Sequence, residues 1–136
     1  MSNKSISWIL DFTNKLPNDE ERIKCLQANV NVLAPILRYT FDPKIEWLLP
    51  PGDPPYKKNT EKYNEDAFYR EIRRLYLFIK GGNDNLKAMR REVLFIDMLE
   101  ALPEDDAQLL IAMKDRKLPY KNITPKLVLK AFPGLF

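Results

Sequence analysis

The residues with the clearest capacity for chemistry lie in the closing stretch of the chain, from Lys114 to Phe136. Its charge is +5, with six cations against Asp115 as its one acid, whereas the preceding 113 residues carry 16 positive and 18 negative charges. The six cations are Lys114, Arg116, Lys117, Lys121, Lys126 and Lys130. Ammonium and guanidinium groups at this density predict binding to phosphate oxygens or other anions, and residues four apart, such as Lys126 and Lys130, share one helix face.

Further groups fit the same chemistry. Asn122 and Thr124 can donate to phosphate, and exposed amides at a helix start near Thr124 can hold an anion. A second basic cluster precedes the closing stretch, and the contacts predicted there are Asn83, Lys87, Arg90 and Arg91. With about four to six phosphates engaged, we expect binding that weakens steeply with salt.

A structural interpretation of the same residues stays open, because lysines on a helix usually form its solvated face. Tyr120 either packs on a sugar or base or covers the edge of the core. The aromatic residues inside predicted helices are interpreted as core rather than as a stacking platform. They are Trp8, Tyr39, Tyr69 and Tyr76.

Missing residue types argue against an enzyme. The chain has no histidine, which excludes the usual general base, the usual zinc ligand and Ser-His or Cys-His pairs. No phosphate-binding glycine motif occurs, and acidic groups such as Glu20 with Glu21 and Glu104 to Asp106 lie at predicted helix starts, where the helix dipole explains them. We therefore expect no catalytic residues, no metal, no cofactor and no small-molecule substrate.

The composition predicts one globular domain spanning residues 1–136. Apolar residues make up 45% and charged residues 30% of the chain, and the single Cys25 cannot form an internal disulfide. No uncharged run approaches the 18 or more residues of a membrane span, and the N-terminus lacks the features of a signal peptide. These features predict a cytoplasmic protein with no membrane partner.

The elements that must position the cations are almost all helical. Ser5 is expected to cap a first helix, Asn18 with Glu21 forms a capping box for a second, and Thr124-Pro125 opens the last. A third helix is expected from Asn31 to Phe41, and Pro103 opens another that ends near Lys114. The sequence thus predicts an all-α fold, a single compact bundle of about six helices.

A proline-rich loop interrupts this pattern after the third helix. The region from Phe41 to Asn59 contains five closely spaced prolines, and we expect an extended, partly ordered loop there. From Thr60 the helical period returns in two apolar stripes, one on each side of Gly81-Gly82. Asn83 is predicted to cap the helix that carries the later stripe. The stripes are Phe68, Ile72, Leu75, Tyr76 and Ile79, and then Leu86, Met89, Val93, Ile96 and Leu99.

The second half of the chain also carries a family resemblance. The segment "IKGGNDNLKAMRREVLFIDMLEALPEDDAQLLIAMKDR" and the ending "KLVLKAFPGLF" resemble the N-terminal DNA-binding domain of ATP-dependent DNA ligases, most closely those of large tailed phages. The counterparts of the family's motifs are Gly82-Asn83, Pro103 to Asp106, Met113 to Arg116, and Phe132 to Leu135. The resemblance extends over roughly Asp19 to Phe136.

This resemblance implies an all-helical module that straddles duplex DNA beside a break and contacts phosphates and sugars without reading sequence. The Lys-x-Asp-Gly motif to which ligases attach AMP is missing, and the turn "KDRKLPYKN" is about two residues longer than in the family. The expected function is therefore that of a stand-alone, non-catalytic, phage-encoded protein. It would bind duplex or nicked DNA in the host cytoplasm.

An alternative function of a different class is open. A ligase-like helical domain could serve as an adaptor or host-takeover inhibitor that binds a replication, transcription or host protein. The apolar residues that suggest such a surface are Trp47, Leu48 and Leu49 in the proline loop and Phe132, Leu135 and Phe136 at the end. The terminal residues either pack back on the domain or anchor in a partner's groove, and the net charge of +3 does not decide between DNA and an acidic protein.

Overall fold

The helices follow one another with short connections, except around the proline-rich segment. The computed structural model of the protein describes residues 4–60 and 66–136. The α-helices in these ranges are α1 (Ile6–Asn14), α2 (Asp19–Ala28), α3 (Val30–Phe41), α4 (Ala67–Glu71), α5 (Ala88–Ala101), α6 (Glu104–Lys114) and α7 (Pro125–Ala131). A 3-10 helix, Ile72–Phe78, continues α4. The described residues contain no β-strand, and the prediction of an all-α fold is confirmed.

Three predicted helix starts are confirmed by their capping bonds. The Ser5 hydroxyl accepts from the Trp8 amide at 3.2 Å, and the Asn18 side chain accepts from the Glu21 amide at 2.9 Å. Thr124 caps α7 in the same way, with Pro125 in the first turn. Each cap satisfies an amide that has no partner within its own helix.

The apolar faces of the helices meet in one cluster of buried residues. Helix α2 packs on α7, α3 packs on α6, and α5 pairs with α6. The largest side chains with almost no exposure include Phe68, Phe78 and Phe95, of which Phe78 and Phe95 pack edge to face at 5.2 Å. None of the helices in the described ranges is long and apolar enough to cross a membrane.

The helix predicted after the proline loop differs from the observed one. Residues 61–65, which the prediction included, lie outside the described residues, and α4 gives way to the 3-10 helix after five residues. With three residues per turn, Ile72, Leu75 and Phe78 align on one side. Phe78 is therefore buried although the predicted stripe omitted it, whereas Tyr76 is 46% exposed and its assignment to the core is wrong.

The predicted inner face of α5 is wrong at Met89 and Val93, whereas Leu99 is buried as predicted. The helix begins at Ala88 after Lys87, not after Asn83, and Asn83 is not its cap. The buried side chains of α5 are Arg91, Phe95, Met98 and Leu99, whereas Met89 is 78% and Val93 41% exposed. Packing of Phe95 against Phe78 fixes the rotation of the helix and turns Met89 and Val93 outward.

The proline-rich strap, residues 42–60, contains no helix and lies along the pair formed by α5 and α6. Its first part meets the end of α6, where Lys114 bonds to the carbonyls of Pro50 and Gly52. Its second part meets the opposite end of the pair, where the Lys57 amide donates to Glu100 at 2.7 Å and the Tyr56 hydroxyl donates to Glu104 at 2.7 Å. The strap therefore spans the length of α6.

Candidate nucleic-acid interface

Lys114 is the first of the predicted phosphate ligands, and it lies inside the protein. Only 2% of its side chain is exposed. Its Nζ donates to the carbonyls of Pro50 at 2.8 Å and Gly52 at 2.9 Å, and to the Asp115 carboxylate at 2.6 Å. These three bonds use all the donors of the ammonium group. The prediction that Lys114 contacts DNA is wrong, because it fastens the strap to α6.

Arg116 has a similar internal role. Its backbone is left-handed, with φ of 60°, which turns the chain away from the end of α6. Its guanidinium donates to the carbonyl of Ile45 at 2.5 Å and to that of Asp42. Arg116 therefore holds the start of the strap, and its prediction as a DNA contact is corrected.

Arg91 is the third predicted DNA contact that does not lie on the surface. Its side chain is buried under the 3-10 helix and the turn that follows it. The guanidinium donates to the carbonyls of Leu77 at 3.0 Å, Leu86 at 2.9 Å and Asn83 at 3.3 Å. These bonds satisfy carbonyl groups of a non-helical turn, and Arg91 is a structural residue rather than a DNA contact.

The polar groups predicted beside the cations are also engaged. Asn122 is bonded to Asn14 at two points. Its backbone N–H donates to the Asn14 side chain at 2.8 Å, and its side-chain amide donates to the Asn14 carbonyl at 2.9 Å. The Thr124 hydroxyl accepts from the Leu127 amide at 3.2 Å. Both residues help to fix the position of α7, and a contact of either with phosphate stays a prediction. The carbonyl of Asn83 accepts from Arg91, and a contact between Asn83 and DNA stays a prediction.

Six of the predicted cations do remain on the surface. Each is exposed and forms no ion pair with any residue in the ranges 4–60 and 66–136. They are Lys87, Arg90, Lys117, Lys121, Lys126 and Lys130. On α7 the buried side chains are Leu127, Val128 and Ala131, so Lys126 and Lys130 lie on the opposite, outward face.

A groove beside Lys117 adds a cation that sequence reasoning missed. The groove has a volume of about 720 Å³ and lies between residues 43–52 of the strap and the turn 114–117. Lys44 and Lys117 are its exposed cations, and neither is ion-paired within the described part of the chain. The pairing of these two segments is set by Lys114 and Arg116, and no local pattern around Lys44 indicated it.

Comparison with known proteins decides the family of the chain. Residues 9–120 match the family of unknown function DUF6433. The chain belongs to this family. No curated protein and no solved structure matches it. The match ends at Tyr120, so three of the exposed lysines of this DUF6433 member, Lys121, Lys126 and Lys130, lie beyond the matched residues.

Acidic residues lie close to Tyr120, the residue before Lys121 in the DUF6433 chain. Tyr120 is buried, and its hydroxyl lies 3.4 Å from the Ser7 carbonyl, to which it donates. Burial raises the pKa of the Tyr120 phenol, and the nearby carboxylates of Asp11, Asp106 and Asp105 raise it further. Tyr120 therefore covers the edge of the core and is not available to stack on a base, and the carboxylates around it disfavour phosphate.

Five of the six apolar residues predicted as a protein-binding surface, all except Leu48, pack against the DUF6433 core. The Trp47 indole donates to the Tyr39 carbonyl at 2.9 Å and lies edge to face with the Tyr39 ring. Leu48 and Leu49 are half-buried, and the Leu48 amide donates to the Phe78 carbonyl at 2.8 Å. The terminal residues Phe132, Leu135 and Phe136 are likewise half-buried against the core.

The exposed aromatic residues lie elsewhere. Trp8 is 47% exposed and stacks on Phe12, with ring centroids 5.3 Å apart. The Lys4 ammonium lies 5.1 Å from the centroid of the Trp8 ring. The assignment of Trp8 to the core is therefore wrong, because α1 turns Ile6, Ile9 and Leu10 inward instead.

Proposed function

We propose that this protein is a non-catalytic DNA-binding protein that holds the phosphate backbone of duplex or nicked DNA through the exposed lysines of its closing stretch. These lysines are Lys117, Lys121, Lys126 and Lys130. The observation that carries the proposal is that all four are exposed and free of ion pairs with the described residues, within 14 positions of the chain. The resemblance of this stretch to the DNA-binding domain of ATP-dependent DNA ligases supports the same function.

The contrast with cations elsewhere in the molecule strengthens the argument. In the first three helices Lys15 pairs with Asp11 at 2.8 Å, and Lys24 pairs with Glu20 at 3.6 Å. Arg38 similarly lies 3.5 Å from Asp42. Such pairs reduce the positive potential that a polyanion meets, whereas the four exposed lysines of the closing stretch have no such pair among the described residues. Exposed cations without an ion pair among the described residues also occur elsewhere, such as Lys44, Lys87 and Arg90, but the closing stretch holds four of them within 14 positions.

The expected contacts are with phosphates rather than with bases. Lysine presents a compact charge on a flexible stem and lacks the planar fork with which arginine recognises guanine. Arg116 and Arg91, two arginines predicted as DNA contacts, are bound to carbonyl groups inside the protein. We expect binding with little sequence preference and with about four phosphates engaged.

The experiment is a titration of labelled duplex DNA, intact and nicked, at low salt, with a mobility-shift or anisotropy readout. The variant replaces Lys117, Lys121, Lys126 and Lys130 together with Glu. We expect its affinity to fall by about a hundredfold or more, because each lysine contributes a phosphate contact and each glutamate adds repulsion.

The matched control tests whether net charge alone explains the loss. Lys57 and Lys58 are exposed lysines of the strap, and their replacement by Glu changes the net charge by the same amount as Lys126→Glu with Lys130→Glu. We expect the α7 pair to weaken binding far more than the strap pair. Equal losses from the two pairs, or unchanged affinity of the fourfold variant, would refute the proposed surface.

A further inference from the structure

A second surface of the molecule is a cleft between the strap and α5. We call it the strap cleft, and it has a volume of about 370 Å³. One wall is the strap from Leu49 to Pro55, and the other is formed by Glu92, Phe95 and Ile96 of α5. Clefts of this volume with mostly apolar walls are typical binding sites for a small group or side chain.

The walls of the strap cleft are held in place from behind. Lys114 lies at the base, bonded to the carbonyls of Pro50 and Gly52. The Gly52 amide in turn donates to Asp115 at 3.2 Å, and Asp115 balances the charge of Lys114 at 2.6 Å. Lys114 is therefore neutralised, and four prolines restrict the strap backbone along the cleft.

Two carboxylates in the strap cleft are not balanced in this way. Glu92 is half-buried on α5, and Asp53 is exposed on the strap. Neither forms an ion pair with a residue of the described ranges. An apolar cleft with two free carboxylates has the charge and polarity that complement an apolar group carrying a cation.

An exposed apolar stripe on α5 leads into the cleft. Met89 and Val93 are 78% and 41% exposed, and with Ile96 they lie at positions i, i+4 and i+7 of the helix. The stripe is about 10 Å long. Glu92 lies on the cleft side of the stripe and Arg90 on the other side, so the stripe has a defined acidic edge.

We propose that the strap cleft and this stripe bind an amphipathic segment of a partner protein, with apolar side chains on the Met89–Val93–Ile96 stripe and a basic side chain in the cleft. The aliphatic stem of an arginine or lysine lies on Ile96 and the strap prolines, and its charged head reaches Glu92 and Asp53. The arrangement follows the helix-in-groove mode of recognition. It does not rest on DNA binding, since none of its residues is among the exposed lysines.

The experiment titrates the isotope-labelled full chain with two synthetic amphipathic peptides, followed by amide NMR shifts. The peptides share one leucine stripe and carry either arginine or glutamate beside it. We expect the arginine peptide to produce saturable shifts at Gly52, Asp53, Phe95 and Ile96 and to bind about tenfold more tightly than the glutamate peptide.

Two variants assign the interaction to the cleft. Asp53→Asn with Glu92→Gln should lower the affinity for the arginine peptide by about fivefold. The control, Glu20→Gln with Glu21→Gln, removes two exposed carboxylates of α2 and should leave its affinity unchanged. Both variants keep surface polarity, so each is expected to fold, which thermal unfolding checks.

Three results would overturn the inference. One is the lack of saturable binding by the arginine peptide, and another is equal binding of the two peptides. The third is a dimer of the protein that Val93→Glu dissociates, because a second copy of the chain would then cover the stripe. The fourfold lysine variant should bind the arginine peptide no more weakly than the native chain does, whatever its affinity for DNA.

Discussion

At the scale of single residues, neighbouring cations in the closing stretch have opposite roles. Lys114 is buried with three internal acceptors, and Lys117, three positions later, is exposed without an ion pair among the described residues. The difference arises from the strap, whose carbonyl groups approach the end of α6 and need donors. Whether a lysine of this stretch is structural or lies on the surface thus depends on contacts with the strap, which is more than 60 positions away in the chain.

The sequence predicted the helix caps better than it predicted hydrogen bonds between residues far apart in the chain. Ser5, Asn18 and Thr124 were identified because a capping bond joins residues three apart. Lys114 and Arg116 were misassigned because their acceptors, from Asp42 to Gly52, are distant in sequence and carry no side-chain signal. Backbone carbonyls accept from any donor, so no residue pattern predicts which cation they bind.

A substitution at Lys114 tests its structural role. Lys114→Met keeps the length of the side chain but removes the charge that bonds to two carbonyls and Asp115, and we expect unfolding free energy to fall by about 2–4 kcal/mol. The control Lys117→Met, at an exposed site, should change it by less than about 0.5 kcal/mol. Urea unfolding of the two variants measures both values, and equal stability would contradict the role assigned to Lys114.

At the scale of elements, helix existence was predictable, whereas helix rotation was not. The apolar period correctly indicated helices around Phe68 and Leu99, but two alternative apolar faces were available on each. Tight packing of Phe78 against Phe95 selected the faces, and the tighter turn of the 3-10 helix aligned Ile72, Leu75 and Phe78. Which face is buried depends on contacts between two elements, and the apolar period of one element alone does not predict those contacts.

The cap of α7 gives a test that separates structure from DNA contact. Thr124→Ala removes the hydroxyl that accepts from the Leu127 amide, and we expect a loss of about 1 kcal/mol of stability. Thr124→Ser keeps the acceptor and should restore most of it. The measurement is thermal unfolding together with a DNA titration below the transition. A loss of DNA affinity by folded Thr124→Ala would show that the hydroxyl contacts phosphate after all.

The strap gives a prediction that depends on pH. Burial and the hydrogen bond to Glu104 raise the pKa of Tyr56 from 10.0 to about 12. The neutral phenol is thus favoured in the folded state, and its contribution to stability is present below pH 10 and is lost as the pH rises towards 12. The difference in phenolate absorbance between the native protein and Tyr56→Phe should therefore have its midpoint near pH 12, and a midpoint near pH 10 would contradict the docked strap.

At the scale of the whole molecule, the all-α fold was predictable because capping, composition and helical period agreed along most of the chain. The route of the strap was not, because prolines predict an extended backbone but not the surface on which it lies. The candidate surface was predictable only in part. Lys117, Lys121, Lys126 and Lys130 remain exposed as expected, whereas Lys44 joins Lys117 through the placement of the strap.

The central claim is that exposed lysines of the closing stretch bind DNA phosphates. The measurement that tests it most directly is the dissociation constant of the native protein for a short duplex over a series of salt concentrations. With about four phosphates neutralised, the logarithm of the association constant should fall against the logarithm of salt concentration with a slope near −4. Lys126→Glu with Lys130→Glu should reduce the magnitude of that slope by about 2. A slope near zero in the native protein, or a slope unchanged in the variant, would contradict the claim.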